Sequence, residues 1–252
     1  MIANIRSEVR KLLTIQTWFW LLVAGIVLAA VVVIVPIATG NATGSDALHQ
    51  IVTNGNAAFV AVFILGVLSV TTEYRYQTIT PTLLATPHRL QLVGAKFATF
   101  FGVGVVFALV IAAVQTVIAV PWLSAKGVDV TAGGPEGALT SVGEVALVVV
   151  LYALIGVGFG ALLRNQVVAV VVGLIYLLFL ENLISVIPGV KHVYPYLPGG
   201  AMSSIYAWGR DHFVRGPDIT LLPSGVAVVV LVLWAALLAG LGVTTSMRRD
   251  IT

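Results

Sequence analysis

Long apolar runs divide the chain at roughly Trp18 to Ala38, Val52 to Thr72, Phe97 to Trp122, Val142 to Leu163, Val167 to Ile187 and Ser224 to Ser246. Each holds about the ~20 residues that a helix needs to cross a ~30 Å hydrocarbon layer. None shows the strict alternation of a barrel strand, so the pattern predicts six transmembrane helices. Only Arg164, Asn165 and Gln166 separate the fourth run from the fifth, which predicts a tight helical hairpin. The other breaks are "TGNATGSD", "AKGVDVTAGGPEG" and the proline-rich stretch from Pro188 to Pro223. No direct or inverted repeat stands out.

Ahead of the first run stands "MIANIRSEVRKLLTIQT", residues 1–17. Ile2, Ile5, Val9, Leu12 and Leu13 fall on one helical arc, while Asn4, Ser7, Glu8, Arg10 and Lys11 occupy the rest. This spacing predicts an amphipathic helix in the membrane interface with its basic face towards anionic headgroups. A solvated basic leader is the plainer reading of the same residues. With such a prelude before a full-length apolar run, the first span reads as an anchor rather than a cleaved signal.

Composition agrees with this frame. Hydrophobic residues make up 59% of the 252, charged residues 9%, and mean hydropathy is +1.06. A soluble domain of this size cannot hide so much apolar surface, so the expectation is an all-α integral membrane protein, one polytopic membrane domain over 1–252. Cysteine is absent, which excludes disulfides and thiolate metal sites. The histidines, His49, His88, His192 and His212, lie outside the apolar runs and show no metal-ligand spacing, so no metal is expected. A formal charge of +3 gives no case for nucleic acid.

The placement of Lys and Arg is more informative. One side collects Arg6, Arg10, Lys11, Arg75, Arg89, Lys96, Arg164, Arg248 and Arg249; the other has Lys126, Lys191, Arg210 and Arg215. The positive-inside rule then puts both termini and the loop from Thr71 to Lys96 in the cytoplasm. In that loop, Thr80-Pro81 and Thr86-Pro87 are helix-start signals. They predict a short helix bearing Leu83 and Leu84, then a second helix running from Pro87 into the third span. With Ile79 beside the charges of Glu73, Arg75 and Arg89, the loop suits docking by a cytoplasmic partner. The same charges would also serve simply to anchor two helix ends in the headgroups.

The order Glu73-x-Arg75 with Thr78, then Leu83-Leu84, Pro87, Arg89 and Lys96, resembles the cytoplasmic loop of the type-two ABC exporter permeases. The resemblance extends over nearly the whole chain, through the basic N-terminal helix, the six spans and the long segment before the last. It implies that residues 73–96 hold a coupling helix seated in a separate ATP-binding subunit, with Arg75 and Arg89 in charged contacts and Leu83 and Leu84 in its groove. It also implies two ATP-binding subunits, which carry ATP and Mg, and two permease chains, identical or paired with a sister. Short re-entrant helices are implied within 188–223. Gln77 departs from the pattern, since the family often has Gly there. No G-x-x-x-x-G-K-[ST] loop occurs in this chain, so it is not expected to be an enzyme or to bind a cofactor itself.

Within the spans, Glu181 and its neighbour Asn182 are the candidates for a substrate path, with Gln115 and Glu144 carrying less weight. Tyr194, Tyr196, Tyr206, Trp208 and Phe213 read either as an interfacial belt or as part of a capping segment. Glycines 156, 158 and 160 predict close helix packing. The resulting expectation is the permease of an ATP-driven exporter in a bacterial plasma membrane, moving a drug, lipid or hydrophobic metabolite, as in multidrug efflux. A secondary transporter that uses Glu181 for ion coupling is the alternative. An intramembrane serine protease is set aside, because no span supplies a histidine.

Overall fold

The computed structural model describes residues 2–40, 47–54, 58–78, 89–127, 134–163, 165–207 and 219–245. Every regular element among them is helical. In chain order these are α1 (Ile2–Thr14), α2 (Thr17–Ala38), α3 (Ala47–Asn54), α4 (Ala58–Arg75), α5 (Arg89–Ala125), α6 (Gly134–Leu162) and α7 (Gln166–Ile175). A π-helical turn, Tyr176–Leu180, joins α7 to α8 (Glu181–Val186). A 3-10 turn, Lys191–Tyr196, then leads to α9 (Pro198–Tyr206), and α10 (Ser224–Thr245) ends the described chain.

Six stretches are long and apolar enough to cross a membrane: 17–38, 47–75, 91–125, 139–162, 166–186 and 224–244. The protein is a multi-pass membrane protein. In hydrocarbon a helix pairs its own backbone groups, so valine-rich segments that are mediocre helix formers in water are helical here. The second stretch starts five residues before the predicted Val52, because the short α3 precedes α4. The third starts earlier too, since α5 takes up the end of the loop from Arg89.

The helices differ sharply in burial. In the α3–α4 stretch 79% of the apolar window is covered and in α6 72%, against 22% in both α2 and α7–α8. The middle of the bundle is therefore α6 packed on α4, with α5 and α10 on its other sides. Glycines set the closest crossing. A Cβ on Gly156 would stand 2.3 Å from the Phe63 carbonyl oxygen, and one on Gly160 2.5 Å from that of Val67. The small-xxx-small spacing thus brings two backbones into contact, as membrane helices without a hydrophobic drive require.

In the fifth span, Ala169, Gly173, Leu177 and Glu181 are buried at steps of four. On a regular helix each such step turns the face by about 40°, which would carry Glu181 off the stripe. The wider π-helical turn absorbs this drift and keeps the carboxylate pointing inward.

Candidate functional site

Two ends of the bundle concentrate polar groups. At the loop end, α1, the last turns of α4 and the first turns of α5 meet around four side chains. Lys11 Nζ lies 2.7 Å from Glu8 Oε1 and 2.7 Å from Glu73 Oε1. Lys96 Nζ lies 2.6 Å from Glu8 Oε2, 3.0 Å from Glu73 Oε1 and 3.0 Å from the Ser69 carbonyl oxygen. Lys96 is 1% exposed, Glu73 5% and Glu8 6%. Two carboxylates and two ammonium groups cancel in charge, which is the condition for burying ions at all.

The charge state of the helix α1 pair follows from these neighbours. Burial pushes the Glu8 carboxyl up, but the charge of Lys96 and the hydrogen bonds from Lys11 and Lys96 outweigh it and hold Glu8 below its ordinary value. Burial pulls Lys11 down, while hydrogen bonds to Glu73 and Glu8 raise it above its ordinary value. Both groups stay ionised.

This arrangement changes the reading of two segments. Helix α1 turns Glu8 and Lys11 towards the bundle, packs Leu12 against the core and leaves Val9 (39% exposed) and Leu13 (61%) outside. The ionic contacts decide its rotation, because a buried carboxylate without a cation would cost more than a few exposed methyl groups. Glu73, expected to face a partner, is held by the chain's own Lys11 and Lys96. Its Oε2 is buried with no hydrogen-bond partner among the described residues.

The remaining loop residues sit just beyond. Arg75 is exposed, donating from Nη1 to Gln166 Oε1 at 3.2 Å and lying 5.6 Å from the Tyr76 ring centroid. It thereby joins the second span to the start of the fifth, where Asn165 caps α7 through bonds from Val167 N and Val168 N. Helix α4 ends with Thr78 N donating to Glu73 O and Gln77 N to Tyr74 O, the paired bonds of a Schellman motif. That motif needs a left-handed residue, and Gln77 supplies it at φ +56°. The glycine usual there in the resembling family avoids this strain. Ile79, Leu83, Leu84 and Pro87 lie outside the described residues, as does the side chain of Arg89, which opens α5.

At the opposite end, the three path candidates turn to different elements. Gln115 is fully buried in α5, donating weakly to the Val52 carbonyl at 3.5 Å. Asn182 is exposed and bonds back to Leu178 O at 2.8 Å. Glu181 is 2% exposed, and its Oε2 accepts the Gly199 N–H at the start of α9. Tyr152 and Tyr176 stand within electrostatic reach of it.

A second polar group here was not foreseen from the residue pattern. His49, on α3, is 4% exposed. Its Nδ1 lies 2.9 Å from Ser141 Oγ and 3.5 Å from Glu144 Oε2, and its Nε2 is 2.8 Å from the Tyr206 carbonyl oxygen. A carbonyl only accepts, so Nε2 carries the proton. His49 was placed outside the spans; it belongs to the start of the second, brought in by α3. Of the aromatics, Tyr194 (1% exposed) and Tyr206 (5%) are turned inward, and Tyr196 (56%) is outside. Trp208 and Phe213 lie beyond the described residues. Among the described residues no group of three or more acidic, histidine or cysteine side chains is placed to hold a metal ion.

A family model described as "ABC-2 family transporter protein" matches residues 5–180 of the 252. The match runs from α1 to the π-helical turn just before Glu181. No curated protein and no solved structure gives a significant match.

Proposed function

The chain belongs to the ABC-2 transporter family and is thus the membrane subunit, not the ATPase, of an ABC transporter; on that premise we propose that it is the permease of an exporter. Its cargo would be an amphiphile, such as a drug, a lipid or a hydrophobic metabolite, moved outward across a bacterial plasma membrane by alternating access. The spans are mainly apolar, which suits such cargo better than sugars or free ions. Two ATP-binding subunits would hold ATP and Mg, and a second permease chain, identical or a sister, would complete the path. The Lys and Arg asymmetry puts both termini and the loop end in the cytoplasm.

The observation that carries this reading is the ion cluster at the base of the loop. Glu73 and Lys96 flank the segment 79–88, are bonded to each other, and are tied through Glu8 and Lys11 to α1. A push on that segment would then move α1, α4 and α5 as one body, and a stiff base is what mechanical coupling needs. Arg75, Thr78, Ile79, Leu83, Leu84, Pro87 and Arg89 form the proposed contact with the ATPase, and Glu73 acts behind them. The rival reading, a secondary transporter coupled through Glu181, is weakened by the engagement of that carboxylate with the α9 backbone.

The test is purification of the chain from its native membrane followed by an ATPase assay of the eluate. We expect an ATP-binding subunit with wild type, its loss from Leu83→Asp with Arg89→Ala, and its retention in Glu73→Gln. Absence of ATPase from the wild-type eluate would end the exporter reading.

A further inference from the structure

Where α1 meets α2, the side chains of Leu13, Gln16, Trp18, Phe19 and Trp20 line an open cleft of about 310 Å³. Ile15 and Gln16 lie between the two helices, and the Gln16 side chain makes no capping bond to α2. The rings of Trp18 and Phe19 stand edge to face at 6.1 Å, and those of Phe19 and Trp20 at 5.7 Å, so the three form one aromatic row. Trp18 packs on the core, whereas Leu13, Phe19 and Trp20 are exposed. Such a volume is at the lower end of the ~300–1,000 Å³ range of ligand pockets, which suits part of one hydrocarbon chain better than a bulky cargo.

The ion cluster decides what else faces this cleft. With Glu8 and Lys11 turned to the bundle, the outer face of α1 carries Val9 and Leu13 and, beside them, Arg6 and Arg10, both exposed. Arg10 and Arg6 precede Leu13 by three and seven residues, the spacing of one helix face. Glu8, Lys11, Glu73 and Lys96 balance among themselves, and no ion pair among the described residues engages either arginine. The first span starts at Thr17, so the cleft lies where headgroups give way to hydrocarbon and where the neighbouring molecule is lipid. An apolar cleft with an uncompensated basic rim at that depth matches a molecule with an apolar tail and an anionic head.

We propose that the junction of α1 and α2 is a binding site for one anionic phospholipid, with an acyl chain along Leu13, Phe19 and Trp20 and the phosphate held by Arg6 and Arg10. The guanidinium fork suits phosphate oxygens, which it can engage in pairs. A lipid held there fixes α1 at the level of the headgroups, and through the bonds of Glu8 and Lys11 to Lys96 and Glu73 it sets the depth of α4 and α5 as well. The proposal rests on the membrane placement of this end and not on the exporter reading.

Two of the five tryptophans, Trp18 and Trp20, stand in the site and serve as its reporters. The full chain, with Trp122, Trp208 and Trp234 changed to Phe, is placed in phosphatidylcholine vesicles that contain increasing amounts of phosphatidylglycerol brominated in mid-chain. Bromine quenches an indole at contact, so loss of emission reports an acyl chain in the cleft. We expect brominated phosphatidylglycerol to be preferred over brominated phosphatidylcholine by roughly fivefold for each arginine, Arg6→Gln or Arg10→Gln to remove one such factor, and the pair to erase the preference. A chain that keeps only Trp234, on α10 and bonded to the Tyr196 carbonyl, should be quenched alike by both lipids. Native mass spectrometry of the chain with all its tryptophans should show one retained phosphatidylglycerol, lost with the arginine pair. Equal quenching of Trp18 and Trp20 by both lipids means an ordinary lipid annulus and overturns the proposal. So does a preference that survives the arginine pair, or one of the same size at Trp234. No lipid preference, with loss of the ATPase from the arginine variants on purification, assigns this face to a protein partner instead.

Discussion

The loop end and the opposite end of this bundle both bury ionisable groups, and they do so by different means. Glu8, Lys11, Glu73 and Lys96 neutralise one another across three helices. Glu181 and His49 instead meet the backbone ends of one short helix, α9. Removing one member of the first set strands an opposite charge in the interior, at a cost of about 3–5 kcal/mol. A single hydrogen bond to a helix terminus contributes less, about 0.5–1.5 kcal/mol. The first arrangement ties three helices together, and the second fixes both ends of a single short helix.

The sharpest way to break this contrast is Lys96→Met, which leaves Glu8 and Glu73 facing a single ammonium. Unfolding in detergent should show a loss of about 3–5 kcal/mol, greater than that from Glu181→Ala. Equal losses would erase the distinction. A cysteine pair at Glu181 and Gly199 tests the other end. A Cβ built on Gly199 lies 3.8 Å from Glu181 Cβ, a separation natural for a disulfide. Mild oxidation should link the pair almost fully and stabilise the fold by about 3 kcal/mol, and reductant should reverse both. Failure to crosslink would mean that α9 does not rest against α8.

Acidity and alkalinity probe the stiff end more gently. The contribution of Glu8 is present above its ordinary value of 4.5 and is lost as pH falls through its lower folded value. That of Lys11 is present below its ordinary value of 10.5 and is lost as pH rises through its higher folded value. The unfolding temperature should therefore be level between these limits and fall outside them, with a shallower acid limb in Glu8→Gln. The smallest effect is expected for Gln77→Gly, which relieves the left-handed residue at the end of α4. A gain of about 1 kcal/mol is expected in the same unfolding measurement. A loss would show that the Gln77 side chain has a role of its own.

Part of this was legible in the residues. Run length and hydropathy gave the spans, because lipid leaves a long apolar segment no alternative to the helix. Gly156 and Gly160 announced a close crossing because their spacing puts both on one helix face. The polar groups were harder. Glu8 and Lys11 were read as part of a basic face turned to the headgroups, though an acid three residues from a base in a chain so poor in charge was the available signal for a joint. His49 gave no signal, since it acquires its partners from α6 and α9, 92 and 157 residues further along.

The sequence by itself determined that the chain crosses a membrane several times and gathers its basic residues at one end, since both follow from transfer free energies that act residue by residue. Only the tertiary structure decided which face of α1 packs, that Glu73 is held from within, and that Glu181 and His49 grip the same helix. These are pairings between distant segments, and a buried charge chooses its neighbour by geometry and electrostatic balance in three dimensions, neither of which a linear pattern encodes.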